Sequence, residues 1–131
     1  MPRPVTVKDY MSAQLVVFDP DMDILAAISQ LIEKRISGAP VVDKQGNLVG
    51  ILSEKDCLRV ALQASYHGES AGRVREYMHT QVKAVDSDAS IPDVAAMFLG
   101  DEYRRYPVIR DNRLVGQISR RDVLRALEAL W

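Results

Sequence analysis

Two seven-residue stretches carry the residue types best suited to chemistry. They are Gly50-Ile51-Leu52-Ser53-Glu54-Lys55-Asp56 and Gly116-Gln117-Ile118-Ser119-Arg120-Arg121-Asp122, both of the form Gly-x-x-Ser-x-x-Asp. Ser followed three residues later by an acidic residue is close to a capping box, which starts a helix and needs no function. The same geometry also suits a phosphorylated ligand. A helix N-terminus offers free N–H groups and the positive end of the macrodipole to a phosphate, beside the Ser hydroxyl. A carboxylate one turn further on can accept two hydrogen bonds from a ribose diol. The motif alone leaves both readings open.

Arginines distinguish the two copies. The second encloses Arg120-Arg121 where the first has Glu54-Lys55, and Tyr103-Arg104-Arg105-Tyr106 precedes its Pro where the first has Ser37-Gly38-Ala39. Guanidinium groups bind phosphate bidentately, which makes the second copy the stronger source of phosphate contacts. The alternative is that Arg104, Arg120 and Arg121 are solvated or pair with Asp101 and Glu102, which would add little to stability. Tyr106 fits either a face for a planar ligand ring or a core position. Other candidates are weak. His67 and His79 have no Cys partners and no metal-ligand spacing, so each reads as an ordinary polar residue and no metal is expected. Cys57 lies near a helix start, where a thiol is acidified, but burial on an apolar helix face suits it better. No nucleophile–base set or Gly-rich phosphate loop occurs, so no catalytic residue is assigned.

The elements that hold these motifs follow from a duplication. Val7 aligns with Val74, Tyr10-Met11 with Tyr77-Met78, Gln14 with Gln81, Asp19 with Asp86, Ile24 with Ile91 and Pro40-Val41 with Pro107-Val108. After one deleted residue, Leu48-Val49-Gly50 meets Leu114-Val115-Gly116, and Ser53, Asp56 and Leu58-Arg59 meet Ser119, Asp122 and Leu124-Arg125. The deletion falls between Asp43-Lys44-Gln45-Gly46-Asn47 and Arg110-Asp111-Asn112-Arg113, where a turn absorbs it without disturbing register. Each copy reads as strand, helix, strand, strand, helix. Leu15 to Phe18 and Val82 to Val85 suit a first strand, and Asp19-Pro20-Asp21 and Asp86-Ser87-Asp88 supply turn and helix-start chemistry. Ile24, Leu25, Ile28, Leu31 and Ile32, like Ile91, Val94, Ala95, Phe98 and Leu99, recur at helical spacing. A hairpin over Pro40–Val42 and Leu48–Leu52 follows. The last helix carries Cys57, Leu58, Ala61 and Leu62, or Val123, Leu124 and Leu127, on its apolar side. The repeats are read as residues 1–66 and 74–131, with 67–73 as a polar, Gly-containing linker. Each is too small to stand alone, which predicts an α+β fold with the copies packed face to face about a pseudo-two-fold axis.

Composition narrows the class. The chain has 131 residues, 47% hydrophobic and 27% charged, with 17 basic and 18 acidic side chains. This is globular composition, and its balance lacks the excess positive charge on which nucleic-acid binders rely. No apolar run is long enough for a membrane span or signal peptide, and a lone cysteine excludes an internal disulfide. The expectation is a cytoplasmic protein without membrane contact.

The repeat resembles the cystathionine-β-synthase-type (CBS) domain. The stretches that carry the resemblance are Tyr-Met before the first strand, Ser37-Gly38-Ala39-Pro40-Val41-Val42-Asp43, Gly46-Asn47-Leu48-Val49-Gly50 and Ser53-x-x-Asp56. In the second copy they are Arg105-Tyr106-Pro107-Val108-Ile109, Leu114-Val115-Gly116 and Ser119-x-x-Asp122. The resemblance spans nearly the whole chain and implies a stand-alone pair, or Bateman module, of two β-α-β-β-α repeats packed sheet to sheet. It further implies a non-catalytic regulator with an adenosine ligand such as AMP, ADP, ATP or S-adenosylmethionine in the cleft between repeats, and no cofactor. Asp56 and Asp122 would hold ribose, and Ser53 and Ser119 would face phosphate. Adenine would lie against Gln14, Leu15, Val16, Ala39 and Pro40, or against Gln81, Val82, Lys83, Tyr106 and Pro107. Arg105 would reach phosphate across the cleft, joined by Arg120 and Arg121. Ala39 departs from the larger apolar residue common in the family and offers adenine little surface. A homodimer and an effector enzyme or transporter are the implied partners. The competing reading is a nucleotide-independent dimerisation or protein-interaction module with vestigial sites.

Overall fold

The computed structural model describes residues 5–67 and 72–131, without the side chains of Tyr66 and His67. Gly68–Ala71, most of the predicted linker, and the His67 side chain lie outside the described residues. The chain forms two compact units: Val16–Val82, the central unit, and the described part of Met1–Leu15 with Lys83–Trp131, the split unit.

In the central unit, α1 (Ile24–Lys34) is followed by β1 (Gly38–Val42), β2 (Leu48–Ser53) and α2 (Glu54–His67). Helix α1 starts where the Asp23 carboxylate accepts from the Ala26 amide and ends at Arg35, in the left-handed region at φ 55°. The antiparallel β1–β2 hairpin pairs Ala39 with Leu52 and Pro40 with Ile51. Its turn is held by Asp43, whose Oδ1 accepts from the amides of Gln45 and Asn47 at 2.9 Å. The split unit repeats this plan with β3 (Val85–Asp86), α3 (Ile91–Gly100), β4 (Arg105–Arg110), β5 (Arg113–Ser119) and α4 (Arg120–Glu128). Its hairpin turn is one residue shorter. Asp111 and Asn112 take φ 51° and 65°, the left-handed pair that matches strand twist in tight hairpins.

Three sequence expectations are corrected. The first strand shrinks to a single parallel bridge from Phe18 to Val41 in one unit and to Val85–Asp86 beside β4 in the other. Leu15–Val17 and Val82–Ala84 form no strand, because only the last residues of each run lie alongside the hairpin. Asp19 and Asp86 close turns on the amides of Asp21 and Asp88 (2.7 and 2.8 Å), while Asp23 and Ser90 cap the helices. The apolar helix faces are also wider than the core needs. Ile32, Leu58, Leu62, Leu99 and Leu124 are all exposed.

Packing units and sequence repeats differ by one segment. The opening 3-10 turn of the first repeat (Val7–Asp9) belongs to the split unit, where Val7 is fully buried among Ile91, Tyr106 and Ile118. The corresponding turn of the second repeat (Val74–Glu76) belongs to the central unit, where Val74 is buried with Phe18, Ile24 and Leu52. Burying each valine is worth about 1.5–3 kcal/mol, so each repeat stabilises the other's core.

A pair of capped helix starts as the candidate functional site

Each motif forms a complete capping box. In the central unit Asp56 Oδ2 accepts from the Ser53 amide (2.9 Å) and hydroxyl (2.8 Å), and the Ser53 hydroxyl meets the Asp56 amide at 3.3 Å. In the split unit Asp122 Oδ2 accepts from the Ser119 amide (2.9 Å), and Ser119 Oγ accepts from the Asp122 amide (3.2 Å). One carboxylate oxygen of each Asp is therefore committed to the helix start. The other faces an ionisable side chain, His79 Nε2 at 2.8 Å from Asp56 Oδ1 and Arg125 Nη1 at 3.1 Å from Asp122 Oδ1.

The leading glycine of each motif has a steric cause. A Cβ on Gly50 would stand 2.7 Å from Met78 Sδ and 2.8 Å from the His79 carbonyl oxygen. On Gly116 it would stand 2.6 Å from Met11 Sδ and 2.8 Å from the Ser12 carbonyl oxygen. The missing side chain lets the residues after Tyr-Met run against the hairpin. His79 and Ile51 exchange two backbone hydrogen bonds of 2.9 Å, and Ser12 and Gln117 do the same. This places His79 beside Asp56 and Ser12 at the matching point of the other unit.

The remaining predicted residues divide between the units. Val16, Ala39, Pro40, Ser53, Asp56, Gln81 and Val82 belong to the central unit, and Gln14, Leu15, Lys83, Arg105, Tyr106, Pro107, Ser119, Arg120, Arg121 and Asp122 to the split unit. Ala39, Pro40 and Pro107 are buried, whereas Gln14, Gln81, Arg105 and Arg121 are exposed. Tyr106 is a core residue, so its ring face is not open to an adenine. It is fully buried, 4.4 Å from the Phe98 ring, with Tyr103 edge-on at 5.9 Å. Its hydroxyl donates to Asp101 Oδ2 at 2.6 Å, and Lys83 reaches the same oxygen at 2.5 Å. The lysine and the phenol hold Asp101 below the usual carboxylate range, and burial, then Asp101, pushes the Tyr106 phenol up. Lys83, not an arginine, is thus the partner of Asp101, and Arg120 Nε donates to the Tyr103 carbonyl at 3.1 Å. Cys57 is buried, and loss of solvation together with Asp56 and Glu54 pushes its thiol up to about 11. Burial outweighs the acidifying helix start.

His79 and Arg125 are the site members that residue types alone did not reveal. The aligned repeats contain the signal for His79, since its counterpart is Ser12 and its segment must meet the strand that leads into Ser53. Among the described residues, no cluster of three or more His, Cys, Asp or Glu side chains is placed to hold a metal ion. No described helix is long and apolar enough to cross a membrane.

Comparison with known proteins agrees with this architecture. The CBS domain family model matches residues 7–63 and 74–129. Protein MJ1225 of Methanocaldococcus jannaschii is 27% identical over 125 residues, covering 95% of this chain but only 44% of the relative's own length. The structure of CBSX2 in complex with AMP superposes with a TM-score of 0.79 at 30% identity, covering 95% of this chain and 97% of that one; CBSX2 comes from Arabidopsis thaliana. The CBS domain pair of MJ0100, in complex with 5′-methylthioadenosine and S-adenosylmethionine, superposes with a TM-score of 0.72 at 25% identity, covering 98% and 100% of the two chains. Two tandem matches take in nearly the whole length, and the chain belongs to the CBS domain family.

Proposed function

We propose that the protein is a non-catalytic regulatory module that binds an adenosine-containing ligand through its Ser–Asp motifs and signals to a partner protein. The observation that carries this reading is the state of the two carboxylates. Each uses one oxygen to cap its helix, while the other meets a side chain that a ribose diol can displace. AMP in the CBSX2 complex and the two adenosine derivatives in the MJ0100 complex support the ligand class. Ser53 and Ser119 stand at helix N-termini, where N–H groups and the dipole favour a phosphate. Exposed Arg105 and Arg121 add bidentate donors in the split unit. Adenine contacts are assigned to Gln14, Leu15, Val16, Ala39 and Pro40, and to Gln81, Val82, Lys83 and Pro107. Tyr106 contributes backbone rather than its ring.

Ligand acts by differential affinity for two conformations. Calorimetric titration with AMP, ATP and S-adenosylmethionine tests the reading. Binding is expected, and Asp122→Ala weakens it more than Asp56→Ala because the split unit has more arginines. A ligand at a hundred times its Kd adds about 2.7 kcal/mol, a readily measured thermal shift. No heat and no shift with any of the three overturns the proposal.

Exposed Leu58, Leu62, Leu124 and Trp131 favour a second reading, a homodimerisation or protein-interaction module. Capture of the same partner with and without nucleotide would support it over ligand-gated signalling.

A further inference from the structure

We propose that His79 is a proton-dependent latch on Asp56, one that holds the outer carboxylate oxygen against ligand more strongly when the imidazole is charged than when it is neutral. The inference rests on the ligand reading above and adds a form of regulation confined to one of the two motifs.

The geometry leaves Asp56 a single oxygen to offer. Oδ2 already accepts from both the amide and the hydroxyl of Ser53, and Oδ1 lies 2.8 Å from His79 Nε2. The imidazole is 65% exposed, so it exchanges protons freely with solvent, whereas the Asp56 side chain is only 11% exposed. A charged ring donates from both nitrogens and forms an ion pair with Oδ1. A neutral ring that keeps its proton on Nε2 still donates to Oδ1, but without the charge the bond is weaker and more readily displaced. A diol that needs Oδ1 therefore competes with the charged ring and less with the neutral one.

Backbone contacts keep the ring in place. His79 and Ile51 exchange two hydrogen bonds, and Gly50 admits the His79 carbonyl where a side chain would exclude it. Among the described residues, ionisable neighbours on the surrounding elements are few. Strand β2 carries none, and the start of α2 carries Glu54, Lys55 and Arg59, all exposed, with Cys57 buried in the core. On the preceding turn Arg75 pairs with Asp21, Arg73 donates to the Asp21 carbonyl, Glu76 accepts from the Arg73 amide, and Tyr77 packs against the core.

The split unit is the built-in control. Ser12 occupies the place of His79, bridging Gln117 as His79 bridges Ile51. There Asp122 Oδ1 meets Arg125, which keeps its charge at every physiological pH. The Asp122 motif lacks the proton-dependent partner.

The test uses AMP titrated by calorimetry into the full chain carrying Asp122→Ala, with and without His79→Ser, between about pH 7.5 and 5.5, where an imidazole changes charge. The phosphate of AMP titrates in the same window, so the quantity read is the ratio of the two dissociation constants at each pH, from which the phosphate cancels. The parent is expected to weaken relative to the His79→Ser form by about two- to fivefold on acidification. NMR of the ligand-free protein reads the contact itself, since Asp56→Asn must move the His79 ring resonances. A ratio that stays constant while AMP binds overturns the latch and leaves the ligand reading standing, and unmoved resonances overturn the latch as well. Failure of AMP to bind these forms and the unsubstituted chain at any pH overturns the latch, and the ligand reading falls with it only if ATP and S-adenosylmethionine also fail.

Discussion

Replacing Gly116 by alanine tests the contact that positions the site. The new Cβ would stand 2.6 Å from Met11 Sδ and 2.8 Å from the Ser12 carbonyl oxygen, both far inside van der Waals separation. The Met11 side chain can swing away. Ser12 oxygen cannot, because it accepts from the Gln117 amide at 2.9 Å while the Ser12 amide donates back to Gln117 at 2.9 Å. Relief therefore means pushing the two segments apart. Overpacking of this kind costs about 1–3 kcal/mol, and weakening two backbone hydrogen bonds adds about 0.5–1.5 kcal/mol each. A total of about 2–6 kcal/mol, at roughly 2.1 cal/mol/K per residue of unfolding entropy, lowers Tm by about 7–20 °C. Calorimetry and urea unfolding measure it. The matched control is Gly100→Ala at the end of α3, where a Cβ meets nothing within 4 Å, so the change should not destabilise and should add up to about 1 kcal/mol. Adding Met11→Ala to Gly116→Ala should not restore stability. Equal stability of the Gly116 and Gly100 variants, or full rescue by Met11→Ala, would refute the steric argument.

Tyr106→Phe removes only the donor to Asp101, which keeps Lys83, and should cost about 1–2 kcal/mol, whereas Tyr106→Ala opens the ring cluster with Phe98 and should cost about 3–5 kcal/mol. Urea midpoints separate the two, and equal losses would show that the ring contributes nothing beyond its hydroxyl. Ser119→Ala leaves the Asp122 amide without its cap and should cost about 1 kcal/mol, with Ser119→Asp largely retaining stability in the same assay. The Cys57 thiol, pushed up to about 11 from 9.0, favours the folded state while it is protonated. Its contribution is complete below about pH 9 and is lost as pH rises towards 11, on the order of 2–3 kcal/mol. Urea unfolding of the parent should therefore fall more steeply than that of Cys57→Ala over this range, and parallel curves would contradict the burial argument.

The hairpins, the capped starts of α2 and α4 and the shorter second turn were legible because each depends on near neighbours in sequence. Gly-x-x-Ser-x-x-Asp is a local instruction, and both copies form the box it encodes. The length of the first strand was less legible. Leu15–Phe18 has the apolar run of a strand, but pairing requires a neighbour, and only Phe18 meets β1. Helix faces were overread for a similar reason. Ile32 and Leu99 keep helical period with the core residues and still point outward, because periodicity marks a stripe without setting how much of it is covered.

Sequence by itself determined the duplication, the family and the two motifs, since these rest on residue identity, spacing and local hydrogen bonding. Tertiary structure alone decided which segment completes which unit and what faces each carboxylate. Val7 and Val74 settle in the core of the opposite repeat, and that exchange carries His79 to Asp56 and Ser12 to the matching place. Only close approach of distant chain could turn two nearly identical motifs into one with a titratable neighbour and one without. The cause is a missing Cβ on Gly50 and Gly116 and the backbone that each glycine admits.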